Sequence, residues 1–331
     1  MATSRRVTGH DVARRAGVTQ STVSLVLSGK AAGRVSTALQ AKVRSAAKEL
    51  DYEPLQSARA LRSGRIEAIG LVVPDITNPF LGAVMHGAQQ AAWSAGYAVV
   101  LIESGRQAAK RRRAVEALRG GLVSGLLLFG IAPDRGADLA PAILIEVRRR
   151  GIPSVIFDSA AGMRAVAAHL TEAGHRRVGY LGLADSRWAF ERRYADLQQA
   201  LADQPSLRLV RTVGAQELTI QAAQAAAVEL LRGRGRPTAI VCGDDILAAG
   251  LYAAADALGL AVPADLSVIG YAGTIVGDAL VPALTTVQAP AEELGARAVE
   301  LMLAVLDGQD VPETTTVPVW LVKRASVACP G

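Results

Sequence analysis

Between Val7 and Ser28 (VTGHDVARRAGVTQSTVSLVLS) the apolar residues follow a helical period that is broken once, in the middle. Val12, Ala13 and Ala16 line one face of a first short helix, from about Gly9 to Ala16. Gly17 follows, a residue type that takes a positive φ at a helix end without strain. Thr19 stands in capping position before a second helix, whose buried stripe is Val23, Val26 and Leu27. GKAAGR reads as a flexible loop. A third helix then starts at a capping Ser36, with Leu39, Val43, Ala46, Ala47 and Leu50 on its apolar side. Helix, glycine turn and capped helix make the helix-turn-helix pattern, with an ordinary helical hairpin as the alternative.

Pro54 opens a short segment, Leu55 to Arg62, of about two helical turns, which Ser63 and Gly64 end. A helix that short is unstable alone. Its Arg59, Arg62 and Arg65, with Leu61 among them, suit a segment that orders on DNA and wedges the leucine into the minor groove. A plain linker is the alternative.

From Ile66 the period changes. IEAIGLVVP, YAVVLIE, GLLLFG, PSVIFD, RVGYLGL, LRLVRTV, TAIVCGD and LSVIGYA read as strands. Helices are expected between them at Asn78–Ala95, 107–120, Ala137–Arg150 and Ala160–Ala173, and between the later strands up to LSVIGYA. Near-continuous apolar strands separated by helices predict parallel sheets covered on both faces. The number of strands exceeds one mononucleotide-type sheet, so two Rossmann-like lobes are expected.

Composition narrows the partners. The chain has 331 residues, half of them hydrophobic and a fifth charged, as in a globular protein of two or three domains. Its net charge of +6 is uneven: residues 1–65 hold twelve Lys/Arg against four acids, a net +8, and the rest is at −2. A basic module on a near-neutral body points to a polyanion that only the module touches. No apolar run is long enough to span a bilayer and MATSRRVTGHDVARR has no signal-type apolar core, so a cytoplasmic protein without membrane contact is expected. Cys242 and Cys329 suggest no disulfide framework. The histidines at 10, 86, 169 and 175 lack ligand spacing, so no metal is expected. GxGxxG after a strand, GxxxxGK[ST], GxSxG and HExxH are missing, and neither a cofactor nor an enzymatic activity is expected. Asp244-Asp245 at a strand end is the one catalytic-looking pair. Adjacent residues rarely converge, and Asp245 reads better as a helix cap.

Several blocks in order carry a resemblance: VTGHDVARRAGVTQSTVSLVLSG, YEPLQSARALRSG, IGLVVPDITNPF, LTEAGHRRVGYLG, PTAIVCGDD, GLAVPADLSVIGY and PALTTVQAPAEELG. Together they make the chain resemble the lac repressor (LacI/GalR) family of bacterial transcriptional regulators over essentially its whole length. The resemblance implies a small all-α helix-turn-helix domain (1–53), a hinge helix (54–64) and an α/β two-lobed periplasmic-binding-protein-like domain (65–331). Lobe 1 would comprise about 65–158 and 289–317, and lobe 2 about 159–288 and 318–331. It further implies a homodimer on a pseudo-palindromic operator, whose affinity is altered by a small molecule in the interlobe cleft.

Carried onto this sequence, Gln20 and Ser21 match base-reading positions, with Thr22 and Ser24 beside them. Thr8, Thr19 and Arg34 match backbone-contact positions, and Leu61 matches the minor-groove wedge, with Ala58 and Arg59 next to it. Leu25 stands where the family usually has arginine, and loss of a bidentate guanine contact is worth about 1–3 kcal/mol of discrimination. In the cleft the matching positions are Phe80, Phe129, Arg193 and Asp244, with Asp75 and Asn78 on the rim and Asp158 at the first crossing. Ala272 replaces a customary aspartate, and a strand and loop expected after Asp158 are missing, so the operator-only repressor is kept as an alternative beside a sugar or related effector. A solute-binding protein and a cleft enzyme are the further rivals. No leucine-heptad tail follows the lobes, which favours a dimer over a tetramer.

Overall fold

The computed structural model describes residues 7–29, 31–52, 67–105, 116, 122–130, 142–146, 149, 151–185 and 187–330. The chain divides into two compact units, Met1–Ile66 and Glu67–Gly331. The first contains α1 (Gly9–Ala16), α2 (Gln20–Leu27) and α3 (Thr37–Glu49). Val12, Ala13, Ala16, Val23, Val26, Val43, Ala46 and Ala47 are buried against one another, and Leu27, Leu50 and Tyr52 flank them. Each helix begins where the sequence supplies a cap. The Thr8 backbone N–H and hydroxyl both donate to Asp11, while the Thr19 and Ser36 hydroxyls accept from Thr22 and Leu39 N–H. Gly17 closes α1 at φ 65°. The loop before α3 is pinned rather than free. Ala31 is buried in the cluster and its carbonyl accepts from Arg34 and Val35.

The second unit holds two six-stranded sheets. The first is ordered β11-β5-β4-β3-β1-β2 and the second β12-β10-β9-β8-β6-β7. Its strands are β1 (Ala68–Val73), β2 (Ala98–Glu103), β3 (Gly125–Phe129), β4 (Ala142–Ile145), β5 (Ser154–Phe157), β6 (Arg177–Leu183), β7 (Arg208–Ala215), β8 (Ala239–Cys242), β9 (Ser267–Ala272), β10 (Thr285–Gln288), β11 (Thr314–Val317) and β12 (Trp320–Val322). Among the described residues the pairings between these strands are parallel except β10 with β12. β1, β3 and β4 are buried nearly throughout, as strands covered on both faces must be. Between the strands lie α4 (Pro79–Ser94), α5 (Ser159–Glu172), α6 (Trp188–Ala202), α7 (Ile220–Leu231), α8 (Asp245–Ala257), α9 (Ile275–Ala279) and α10 (Ala291–Leu306).

The chain passes between the sheets after β5, β10 and β11. Phe157, Val287, Ala289, Val317 and Val319 flank these passages and belong to one continuous apolar cluster with residues of both sheets. On the first lobe α4 and α10 pack backbone to backbone. A methyl group on Gly87 would overlap the Glu292 carbonyl, and one on Gly295 would overlap the Val84 carbonyl.

Two expectations fail here. The helix expected over Ala137–Arg150 is contradicted, because Ala142–Ile145 is the central, fully buried strand β4, paired with both β3 and β5. A four-residue apolar run carries no periodicity, and sheet burial decided it. As a result the shortening at Asp158 does not strip this wall of a strand: β4 already stands beside β5. The helix expected at 107–120 lies outside the described residues, as do Leu55–Arg62 and with them Ala58, Arg59 and Leu61.

Candidate nucleic-acid interface and interlobe cleft

The N-terminal turn of α2 presents its polar residues outward. Gln20 and Ser21 are exposed, and Thr22, Ser24 and Leu25 are half-buried. Gln20 and Ser24 share one face of the helix, Ser21 and Leu25 the next. The Thr19 hydroxyl lies 2.8 Å from the Ser21 hydroxyl and 2.9 Å from that of Thr22, so the cap holds the first turn's side chains in a defined array. Thr8 and Arg34 are exposed. Lys42, Arg44 and Lys48 are exposed on α3, so the unit's surface carries cations beside the polar turn. A capped helix showing short polar side chains at its N-terminus, over a basic surface, is the geometry of a major-groove reader.

Both sheets of the second unit have the same inner order, β2-β1-β3-β4-β5 and β7-β6-β8-β9-β10. In open α/β sheets ligands bind beyond the carboxyl ends of the strands, at the point where the order reverses. Asp75 follows β1, Phe129 ends β3, and Asp244 follows β8, so these three sit at the reversal points. Their side chains are partly spoken for. Asp75 accepts from the N–H and hydroxyl of Thr77, at 2.9 and 2.6 Å. Asn78 caps α4 through Phe80 N–H, Asp158 caps α5 through Ala161 N–H, and Asp244 caps α8 through Ile246 N–H. The assignment of Asp245 as the cap is therefore corrected. Asp245 is the first helical residue and fully buried, and it accepts instead from Thr274 and Thr286. Phe80 packs against Phe129 and Phe157, with ring centroids 6.2 and 6.0 Å apart.

Arg193 bridges the two lobes. It lies on α6 of the second lobe and is 6% exposed. Its guanidinium stands 4.0 Å from the Tyr271 ring centroid and 5.1 Å from that of Phe190. Nη1 donates to the Gly243 carbonyl at 2.9 Å, and Nη2 donates across to the Glu146 carboxylate of the first lobe at 3.2 Å. Glu146 also accepts Phe157 N–H at 3.2 Å. Burial raises the Glu146 carboxyl above its ordinary value, with Arg193 and the Phe157 N–H opposing. Burial opposes the charge of Arg193, but Tyr271, Glu146 and Asp244 outweigh it. Asp244 is pushed up to about 7 by burial and then by the charge of Asp245, while the Ile246 N–H and Arg193 oppose the shift. The Tyr180 hydroxyl lies against Gly243 and, among the described residues, has no hydrogen-bond partner; burial raises its pKa.

Sequence reasoning missed Glu146, Tyr180, Phe190 and Tyr271. The first was hidden by the mistaken helix. The aromatic residues sat inside strands and helices whose apolar pattern already explained them. Ala272, read as the absence of an acid, also has φ 112°, a strained value for alanine, directly after Tyr271.

A helix-turn-helix unit joined to two parallel-sheet lobes with a polar cleft defines a one-chain DNA-binding regulator. Comparison with known proteins agrees. Residues 8–54 match the model for bacterial regulatory proteins of the lacI family, and residues 167–327 match a periplasmic binding protein-like domain. The chain is 34% identical to the HTH-type transcriptional regulator GalR of Escherichia coli K12, covering 97% of this chain and 96% of that protein. It is 31% identical to the ribose operon repressor of Halalkalibacterium halodurans, over 90% and 89%. A solved structure of the lac repressor dimer bound to operator and the anti-inducer ONPF superposes with a TM-score of 0.89 at 28% identity, covering 98% of this chain and all of that one. The chain belongs to the lacI family and is a DNA-binding transcriptional regulator. Among the described residues no helix is long and apolar enough to cross a membrane.

Proposed function

We propose that this protein represses transcription in the cytoplasm as a homodimer on a pseudo-palindromic operator, with an affinity altered by a small molecule in the interlobe cleft. The observation that carries the reading is the capped, outward-facing polar turn of α2. In this reading residues 1–53 read DNA, 54–64 form the hinge, and 65–331 dimerise and bind the effector. Gln20 and Ser21 contact base edges, flanked by Thr22, Ser24 and Leu25. Thr8, Thr19, Arg34 and Arg59 contact the backbone. Leu61, beside Ala58, wedges the central minor-groove step. Leu61→Ala then weakens operator binding far more than binding to random DNA, whereas Arg59→Ala weakens both and lowers the salt slope.

The relatives support an effector of the sugar class. The structures of related regulators include a cellobiose complex and one with bound ribose. Asp75, Asn78, Phe80, Phe129, Asp158, Arg193 and Asp244 would surround it. No enzymatic role is assigned to the cleft, since the relatives are regulators. One observation favours a second reading, an effector-independent repressor: both guanidinium nitrogens of Arg193 that would meet a ligand already donate to the protein. Selection of bound duplexes from a random pool tests the main proposal. An inverted repeat with fixed half-site spacing is expected; recovery without any enriched sequence overturns it.

A further inference from the structure

The Glu146–Arg193 pair joins the two lobes, since Glu146 directly follows β4 of the first sheet and Arg193 lies on α6, which follows β6 of the second. Three features set it apart from an incidental ion pair. Both side chains are less than a tenth exposed, so neither is screened by water. Glu146 holds φ 56°, in the left-handed region that a glutamate avoids, although its own N–H still bonds Val155 O at 3.0 Å within the sheet. Strain of this kind persists where the surroundings over-determine a side chain, and here it aims the carboxylate at Arg193. Lastly, both carboxylate oxygens are used, one by Phe157 N–H of the same lobe and one by Arg193 of the other.

The geometry points to Glu146 as an internal occupant of the cleft arginine, a latch that ties the two lobes together and that any ligand docking on Arg193 must displace. This inference rests on the cleft being the effector site of the proposed function, but the latch itself concerns only the two lobes. It makes Glu146 a specificity-determining residue. Whatever replaces it has to give Arg193 an acceptor and at the same time give the released carboxylate a donor. A polyhydroxylated or zwitterionic molecule does both, whereas a simple anion leaves one buried Glu146 oxygen without a donor. Glu146→Gln keeps the shape and removes the charge. Its amide must either turn a donor toward Arg193 Nη2 or give up the Phe157 N–H.

Trp188 supplies a reporter. It begins α6 of the second lobe and packs against the first lobe's apolar cluster of Val72, Leu126, Leu128, Ala142 and Leu144. With Trp93 and Trp320 replaced by Phe, acrylamide quenching reads Trp188 alone. Glu146→Gln is expected to raise the Trp188 quenching constant roughly twofold, with the far-UV spectrum unchanged, as the closed population shifts toward open. Glu146→Leu and Arg193→Met should each do the same, and the double variant, with an apolar pair in place of the ions, should return quenching to the parent value. Folded single variants with unchanged quenching overturn the latch. Should the single variants unfold, a double variant that folds but stays as quenchable as an open state overturns it too. None of these readouts involves DNA or a ligand, so failure of the proposed function would leave them standing.

Discussion

Asp245 Oδ1 accepts the Thr286 hydroxyl at 2.6 Å, inside the second lobe and out of reach of water. Oδ2 of the same carboxylate accepts both the backbone N–H of Thr274, at 2.6 Å, and its hydroxyl, at 3.1 Å. One side chain thus ties the start of α8 to the turn after β9 and to β10. Asp245→Ala leaves these donors buried and unpaired, and should lower unfolding stability by about 2–4 kcal/mol in a urea titration. Asp245→Asn should cost less, because its carbonyl oxygen still accepts while its amide opposes one donor.

Burial raises the carboxyl of Asp245 and also that of its neighbour Asp244, which has fewer hydrogen-bond donors to oppose the shift. Burial and the charge of Asp245 push Asp244 from 3.8 up to about 7, so its charge opposes folding increasingly as the pH rises from about 4 to 7, and the neutral acid is the tolerated form. The stability this group contributes is complete below about pH 4 and is lost as the pH rises through 7. Asp244→Asn keeps a capping oxygen for Ile246 N–H. It should match the parent protein near pH 4 and exceed it at pH 8, by up to about 4 kcal/mol at 1.36 kcal/mol per pKa unit. Chemical denaturation at the two pH values decides the sign.

Gly87 and Gly295 let α4 and α10 touch backbone to backbone. The obstruction a methyl would meet at either position is a carbonyl, which cannot swing aside. Gly87→Ala should cost about 3 kcal/mol or more despite the better helix propensity of alanine. A thermal melt that rises instead would show that the helices separate freely.

On α2, stability and recognition separate by residue. Thr19→Ala removes the cap and should lower the stability of the first unit by about 1 kcal/mol. Gln20 is exposed, so Gln20→Ala should leave the melt unchanged and weaken only specific DNA binding. Leu25→Arg should change the preferred base at one position of each half-site in a selection experiment, toward guanine.

The helix boundaries of the first unit were legible because caps, glycine and apolar spacing agree there: Thr19, Ser36 and Gly17 each do what their chemistry suggests, while the capping box of Thr8 with Asp11 went unread. The alternation of strands and helices was legible for the same reason, from Ala68 through Ala272. Ala142–Ile145 was not, since four apolar residues fit a buried strand and a buried helix equally. The last three strands, β10 to β12, went unassigned because each is only three or four residues long, and the threonines of β10 and β11 blur the apolar pattern. In the cleft, the residue types and strand-end positions were readable. The partner of Arg193 was not, because the two residues are 47 apart in sequence and come from different sheets.

Fluorescence anisotropy with the duplex enriched by selection, against a shuffled duplex of equal length and at fixed salt, bears most directly on recognition by α2. The account predicts tight binding to the enriched duplex, weak binding to the shuffled one, and a Gln20→Ala variant that binds both about equally while retaining its melting temperature. Equal affinity of the unaltered protein for the two duplexes, or a Gln20→Ala variant that keeps full discrimination, would contradict it.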